Sequence, residues 1–366
     1  MSNKSLTYYH NLDGLRGVAA LAVILFHFFH NTAVTQDLMF RSVVVQITEF
    51  GQHGVTLFFV LSGFVITRIL LNTKEDNTYF YRFYKNRALR IFPLYYLYLL
   101  LHYNFFPCLF TEIDFVELKR QFPYFFYIQG FTWLTGWPAR GPGHYWSLAV
   151  EEHFYLVWPL LVYFLNRRNI KYIALTLIAL NIPIKLLLLD NGLDINYQSI
   201  SRYDSIMMGC VIAIMERDSN FSLKALSKVN LLLIALSVIT IGGIIYINQE
   251  SLPLLKSSVK HIILSFFFAI VIYQTAAMRV EKSLWNSFLE SRIMQYLGKI
   301  SYGLYVWHIM VLMIVASIGL HYTLINLALT LLFSVMIAHL SYHGYEKLFL
   351  KLKYIRFRER YKKFVS

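Results

Sequence analysis

Ten stretches of this chain are apolar and long enough to cross a bilayer, at about 15–31, 53–71, 91–110, 148–166, 171–189, 202–216, 229–247, 257–277, 299–318 and 322–345. Inside hydrocarbon each backbone N–H and C=O must be satisfied without water, so runs of this length fold as helices. The expected architecture is an all-α polytopic membrane protein of about ten transmembrane helices. Composition agrees, with 57% hydrophobic and only 15% charged residues. The net charge of +14 does not point to nucleic acid, because the basic residues cluster between apolar runs at Arg68 to Arg90, Arg167 to Lys171, Arg279 to Lys299 and Lys351 to Lys363. The positive-inside rule then places both termini and all four clusters in the cytoplasm. Residues 1–350 read as one membrane domain and 351–366 as a basic cytoplasmic tail, either a solvated charge run or a surface helix on anionic lipid. Lys4 before an apolar run resembles a signal peptide. Asp13 and Arg16 abut the apolar core and no small-residue cleavage site follows, so the segment reads as a retained helix.

That first helix carries polar groups at a depth where they are costly. Arg16 and His27 are eleven residues apart, close to a whole number of turns, so they share a face about 16 Å apart along the axis. Asp13 joins that face one turn before Arg16. A neutral histidine bonded between helices accounts for His27 as packing; a titratable ring at the end of a file of charges accounts for it as chemistry. His30 reads as an interfacial residue.

Four later segments stand out. In Gly51 to Phe64, the residues Gly54, Ser62 and Gly63 read as small side chains that let helices approach closely, and His53 as an exposed ring near the outer interface. Arg87 and Arg90 lie one turn apart before Pro93, where two guanidinium forks suit phosphate oxygens, although arginines at a membrane edge need no ligand. In Trp146 to Trp158, Ser147, Glu151 and Trp158 share roughly one face of a helix while Glu152 points elsewhere. One of the two adjacent acids orients His27 or an incoming hydroxyl, or else pairs between helices. In Leu297 to His308, Tyr305 and His308 face one interior seam. The loop at about 111–147, rich in aromatics, Gly and Pro, reads as a re-entrant lining, a lid or an interfacial aromatic belt. Cys108 and Cys210 match neither a disulfide framework nor a metal site, and no Walker loop, dinucleotide fingerprint or zinc motif is present, so no metal is expected.

Together these segments resemble the acyltransferase-three family of bacterial multi-pass membrane proteins. The likeness rests on Arg16 with His27, Phe58-Phe-Val-Leu-Ser-Gly-Phe64, Arg87-x-x-Arg90, Trp146-Ser-Leu-x-x-Glu151-Glu-x-Phe-Tyr155, and Ser301-Tyr-x-Leu-Tyr305 with His308. The resemblance implies a plasma-membrane O-acyltransferase, in most cases an O-acetyltransferase. It would take an acyl group from cytoplasmic acyl-coenzyme A, as co-substrate rather than bound cofactor, to a hydroxyl of a surface or lipid-linked glycan. His27, Glu151 and Glu152 would be catalytic, with His27 a general base or an acyl-histidine nucleophile. Arg16, Arg87 and Arg90 would hold the coenzyme's phosphates. Asp13, Trp146, Ser147, Tyr155, Tyr302, Tyr305 and His308 would contact substrate. Some members add an SGNH-type hydrolase domain; with the chain ending soon after its tenth helix, that activity is not expected. Two other functions use the same features: a proton-coupled transporter, whose polar file would move ions or solutes, and a silent partner in glycan export. The acceptor sugar and the oligomeric state are not legible.

Overall fold

The computed structural model describes residues 7–31, 35, 41–110, 115–217, 253–277, 283–320 and 322–354. Among these there is no strand, as hydrocarbon-spanning runs require, and the chain is an all-α membrane protein. The principal helices are α1 (His10–His30), α2 (Arg41–Glu49), α3 (Gly54–Thr73), α4 (Tyr79–Asn104), α5 (Leu118–Phe125), α6 (Trp146–Phe164), α7 (Arg167–Asp190), α8 (Tyr203–Met215), α9 (Pro253–Ala277), α10 (Leu284–Leu289), α11 (Arg292–Lys299), α12 (Ser301–Ile318), α13 (Thr323–Ser341) and α14 (Lys347–Lys351).

Among the described residues, six helices or continuous helical runs are long and apolar enough to cross a membrane: His10–His30, Val43–Thr73, Arg167–Asp190, Val259–Ala277, Ser301–Ile318 and Thr323–Lys351. Three further windows also fold as helices but do not meet that standard. α4 carries Arg82, Lys85, Arg87 and Arg90 in its first half, α6 carries Glu151 and Glu152, and α8 is 13 residues, about 20 Å. The window at 229–247 lies outside the described residues.

Close backbone contact fixes how the helices cross. A Cβ on Gly63 would overlap the Ile206 carbonyl of α8, and one on Gly209 would overlap the Val60 carbonyl of α3. Gly14 does the same for α1 against the Leu289 carbonyl of α10, and Gly298 for α11 against the Asp13 carbonyl of α1. Small residues supply this packing because lipid gives no hydrophobic drive between helices. Two buried ion pairs add specificity: Lys185 to Asp204 at 2.5 Å, both fully buried, and Arg68 to Glu216 at 2.6 Å. Arg68 is thereby held within the fold rather than in a free basic cluster.

The described part of the loop between α4 and α6 is tied to the body of the protein. Tyr95 donates to the Tyr124 carbonyl (2.7 Å) and Tyr103 to the Arg140 carbonyl (2.9 Å), so it folds back on α4 and delivers His144 to the interior. His53, read as an exposed ring, is buried where a 3-10 turn packs against α1. After α13 the helix widens into a π turn, Tyr342–Glu346, with Tyr345 donating to the Pro93 carbonyl of α4 (3.3 Å). That contact turns the chain back across α4.

Candidate active site

Helices α1, α3, α4, α6 and α12 enclose a cavity of about 270 Å³. Arg16 enters from α1, Phe58 and Ser62 from α3, Arg87, Arg90 and Ile91 from α4, and Ser147, Glu151, Glu152 and Tyr155 from α6. Ser301, Tyr302 and Tyr305 enter from α12, and Lys353 from the short turn after α14. Along α6 the cavity runs from Tyr155, whose ring carries the Arg87 guanidinium 5.4 Å above it, to Ser147, eight residues or about 12 Å back. A second, wider cavity of about 580 Å³ shares Arg16 and Arg90 with the first. Asp13, Tyr8, Arg292 and Lys299 are among its walls, and Tyr8 donates to the Asp13 carboxylate.

The charges are distributed so that the first cavity has a cationic end. Arg16, Arg87, Arg90 and Lys353 face two carboxylates, and Glu151 is held by the Ser62 hydroxyl (2.5 Å) and by Tyr155 (3.2 Å). Burial, with Arg90 and Arg87 nearby, pushes the Lys353 ammonium down to about 8. A polyphosphate arriving at this end would meet half-buried, planar guanidinium forks.

At the opposite end Ser147 donates to the Tyr305 hydroxyl (2.5 Å), which donates to the His144 carbonyl (2.7 Å). Tyr305 packs on His308 with ring centroids 5.6 Å apart, and His308 lies 4.9 Å from His27. His27 is half-buried and is not among the residues lining the cavity; His308, fully buried, stands between it and Tyr305. His27 Nδ1 lies 2.9 Å from the Val23 carbonyl and 3.3 Å from His308 Nε2.

The structure therefore gathers Arg16, Arg87, Arg90, Ser147, Glu151, Glu152, Tyr155, Tyr302 and Tyr305 around one space. Glu152 faces it together with Glu151, contrary to the reading that it points elsewhere; the cavity is wide enough to be lined by adjacent positions of α6. Neither acid is bonded to His27, whose ring partner is His308. Tyr302 donates to the Ile91 carbonyl (2.8 Å). Asp13 belongs to the second cavity, and Trp146 lies outside both, packed against Phe59 and Tyr197. Three participants were not recognised from sequence. Ser62 read as a small packing residue, Lys353 as tail, and His144 as part of a loop; only the pairing of Ser62 with an acid 89 positions away reveals its role.

A family model described as an acyltransferase domain matches residues 9–343, nearly the whole described bundle. The chain belongs to this acyltransferase family. Curated relatives within reach of the family include O-acetyltransferase OatA of Staphylococcus aureus, 27% identical over 333 residues, which cover 85% of this chain and 51% of that protein. The putative peptidoglycan O-acetyltransferase YrhL of Bacillus subtilis is 27% identical over 367 residues, 93% of this chain and 54% of its own. Peptidoglycan O-acetyltransferase OatA of Listeria monocytogenes is 26% identical over 325 residues, 83% and 49%. The chain thus spans about half the length of these relatives. No solved structure matches it. Lys353 falls beyond the family-matched residues, yet it lines the same cavity as Arg16, Arg87 and Arg90.

Proposed function

We propose that this protein is an O-acyltransferase of the bacterial plasma membrane, most simply an O-acetyltransferase. It would move an acyl group from cytoplasmic acyl-coenzyme A to a hydroxyl of a surface or lipid-linked glycan, with peptidoglycan the acceptor class its relatives' names suggest. The observation that carries the reading is the cavity itself: four cations at one end, a hydroxyl and histidine cluster at the other, and two carboxylates between. We place about ten spans and both termini on the cytoplasmic side, which puts the cationic end at the inner surface.

On this reading Arg16, Arg87, Arg90 and Lys353 hold the coenzyme's phosphates, and the wider cavity that shares Arg16 and Arg90 receives the nucleotide. The thioester arm follows α6 toward Ser147 and Tyr305. His27 removes the acceptor's hydroxyl proton as its oxygen forms the new C–O bond; the C–S bond breaks, and the proton passes from His27 to the departing thiolate. This step requires the Tyr305 ring to move aside while His308 keeps its contact with His27, since His27 stands just behind that wall. Glu151, fixed by Ser62 and Tyr155, orients the acceptor or the thioester rather than the imidazole. A transporter would have less use for an arginine pair and a lysine converging on one end of the cavity.

Membranes containing the protein, given labelled acetyl-coenzyme A, should transfer label saturably to glycan. His27→Ala should abolish transfer, and Arg87→Ala/Arg90→Ala should weaken donor binding by at least about 100-fold, two charge-assisted contacts at roughly 1.5–3 kcal/mol each. Solute flux with no label transfer would favour transport and defeat the proposal.

A further inference from the structure

The family resemblance makes His308 a substrate contact, yet it does not line the cavity, and its hydrogen bonds decide which nitrogen of His27 is basic. His308 Nδ1 lies 2.6 Å from the Tyr305 carbonyl, which can only accept, so Nδ1 carries the proton and Nε2 a lone pair. His27 Nδ1 then faces two acceptors, the Val23 carbonyl at 2.9 Å and the His308 lone pair at 3.3 Å, and must itself be the N–H donor. The base nitrogen left to His27 is Nε2, on the far side of the ring from His308.

Resting on the acyltransferase reading above, we propose that His308 is the positioning residue of the catalytic histidine: its Nε2 holds His27 in the Nδ1–H form and supports the imidazolium when Nε2 takes the acceptor's proton. The proton stays on His27 until the thiolate accepts it; His308 gains and loses none. The pair is itself held from behind. His144 donates Nε2–H to the Val306 carbonyl (3.1 Å), its ring centroid is 5.2 Å from that of His308, and its main-chain carbonyl receives the Tyr305 hydroxyl. Orienting partners of working histidines commonly act this way, fixing tautomer and ring angle.

Among the described residues the titratable groups nearest His27 are these. His30 shares its helix, and His308 and Tyr305 come from α12 with His144 beyond. His53 lies on the turn packed against α1, and Glu49, exposed, ends α2. A shift in the pH–rate profile on changing His308 is therefore read through His27.

Two variants test the assignment, each normalised to protein that binds labelled acetyl-coenzyme A. His308→Gln retains a side-chain acceptor of similar reach but no basic ring; His308→Phe retains shape and removes the acceptor. The expected result is a kcat lowered roughly 10- to 100-fold in His308→Phe with donor KM unchanged, and largely restored in His308→Gln. The acid limb of the pH–rate profile should move to lower pH in His308→Phe, because a less supported imidazolium forms less readily. Wild-type kcat and an unmoved acid limb in His308→Phe would overturn the proposal. So would loss of turnover in His308→Gln with donor binding intact, which would make His308 itself the base. If His308→Phe binds no donor, His308→Gln alone decides. Absence of label transfer by the unaltered protein is the separate failure of the acyltransferase reading.

Discussion

Lys353 offers a prediction whose size and sign both follow from its surroundings. It is half-buried beside Arg87 and Arg90 and lines the cationic end of the cavity, with no carboxylate among the described residues bonded to it. A charge-assisted bond to phosphate is worth roughly 1.5–3 kcal/mol. Partial exposure screens this, so about 1–1.5 kcal/mol is realistic, or about 5- to 12-fold in affinity. Lys353→Ala should therefore raise the Kd for acetyl-coenzyme A by about that factor and leave kcat at saturation nearly unchanged, whereas Lys353→Arg should bind nearly as the unaltered protein does. The ammonium titrates at about 8, so it is about nine-tenths charged at pH 7 and about one-tenth charged at pH 9. Phosphate oxygens, with a second pKa near 6, are already ionised across that window. Donor affinity should fall between pH 7 and 9, and binding at pH 8 should take up a fraction of a proton. Equilibrium binding of labelled donor to purified protein over that pH range measures both. A Lys353→Ala variant that keeps the same affinity and the same fall above pH 7 would refute the reasoning and return this lysine to the tail.

Two further substitutions probe the frame around the site. Lys185→Met leaves the Asp204 carboxylate buried without its 2.5 Å partner and should cost about 3–5 kcal/mol; Lys185→Met/Asp204→Leu should recover most of the loss in a detergent melting experiment, and failure to recover would mean the pair does more than balance charge. Gly298→Val places side-chain atoms on the Asp13 carbonyl, so α1 and α11 must separate. We expect a lowered melting temperature and weakened donor binding together, since Arg16 rides on α1; a variant of unchanged stability would show that the crossing is not tight.

How far the site could be read in advance depended on the kind of physics involved. Arg16, Arg87, Arg90, Glu151 and Tyr155 were legible because each is a charge or phenol inside an apolar run, where polar groups are rarely incidental. Glu152 was placed on the wrong side because helical periodicity gives a direction from the axis and not the width of the space that direction meets. Ser62 was read as packing for a related reason: among small residues in a membrane helix, only the neighbour across the interface distinguishes a hydroxyl that bonds a carboxylate from one that merely saves room. His53 was read as exposed because its position near a helix start says nothing of the turn that presses it against α1.

The amino-acid order alone determined that the chain would lie in a membrane as helices, since runs of apolar residues have no other way to satisfy their backbone in hydrocarbon. It also determined that charge would collect at helix ends and that α1 would carry a cation and an imidazole on one face. Tertiary structure alone decided that His27 would pair with a histidine 281 positions later rather than with Glu151. It alone also brought a lysine from beyond the last long helix into the arginine cluster. Both depend on which helices cross at their glycines and on where a π turn redirects the chain. Such contacts between distant segments are set by shape complementarity, which leaves no period or spacing in a single sequence.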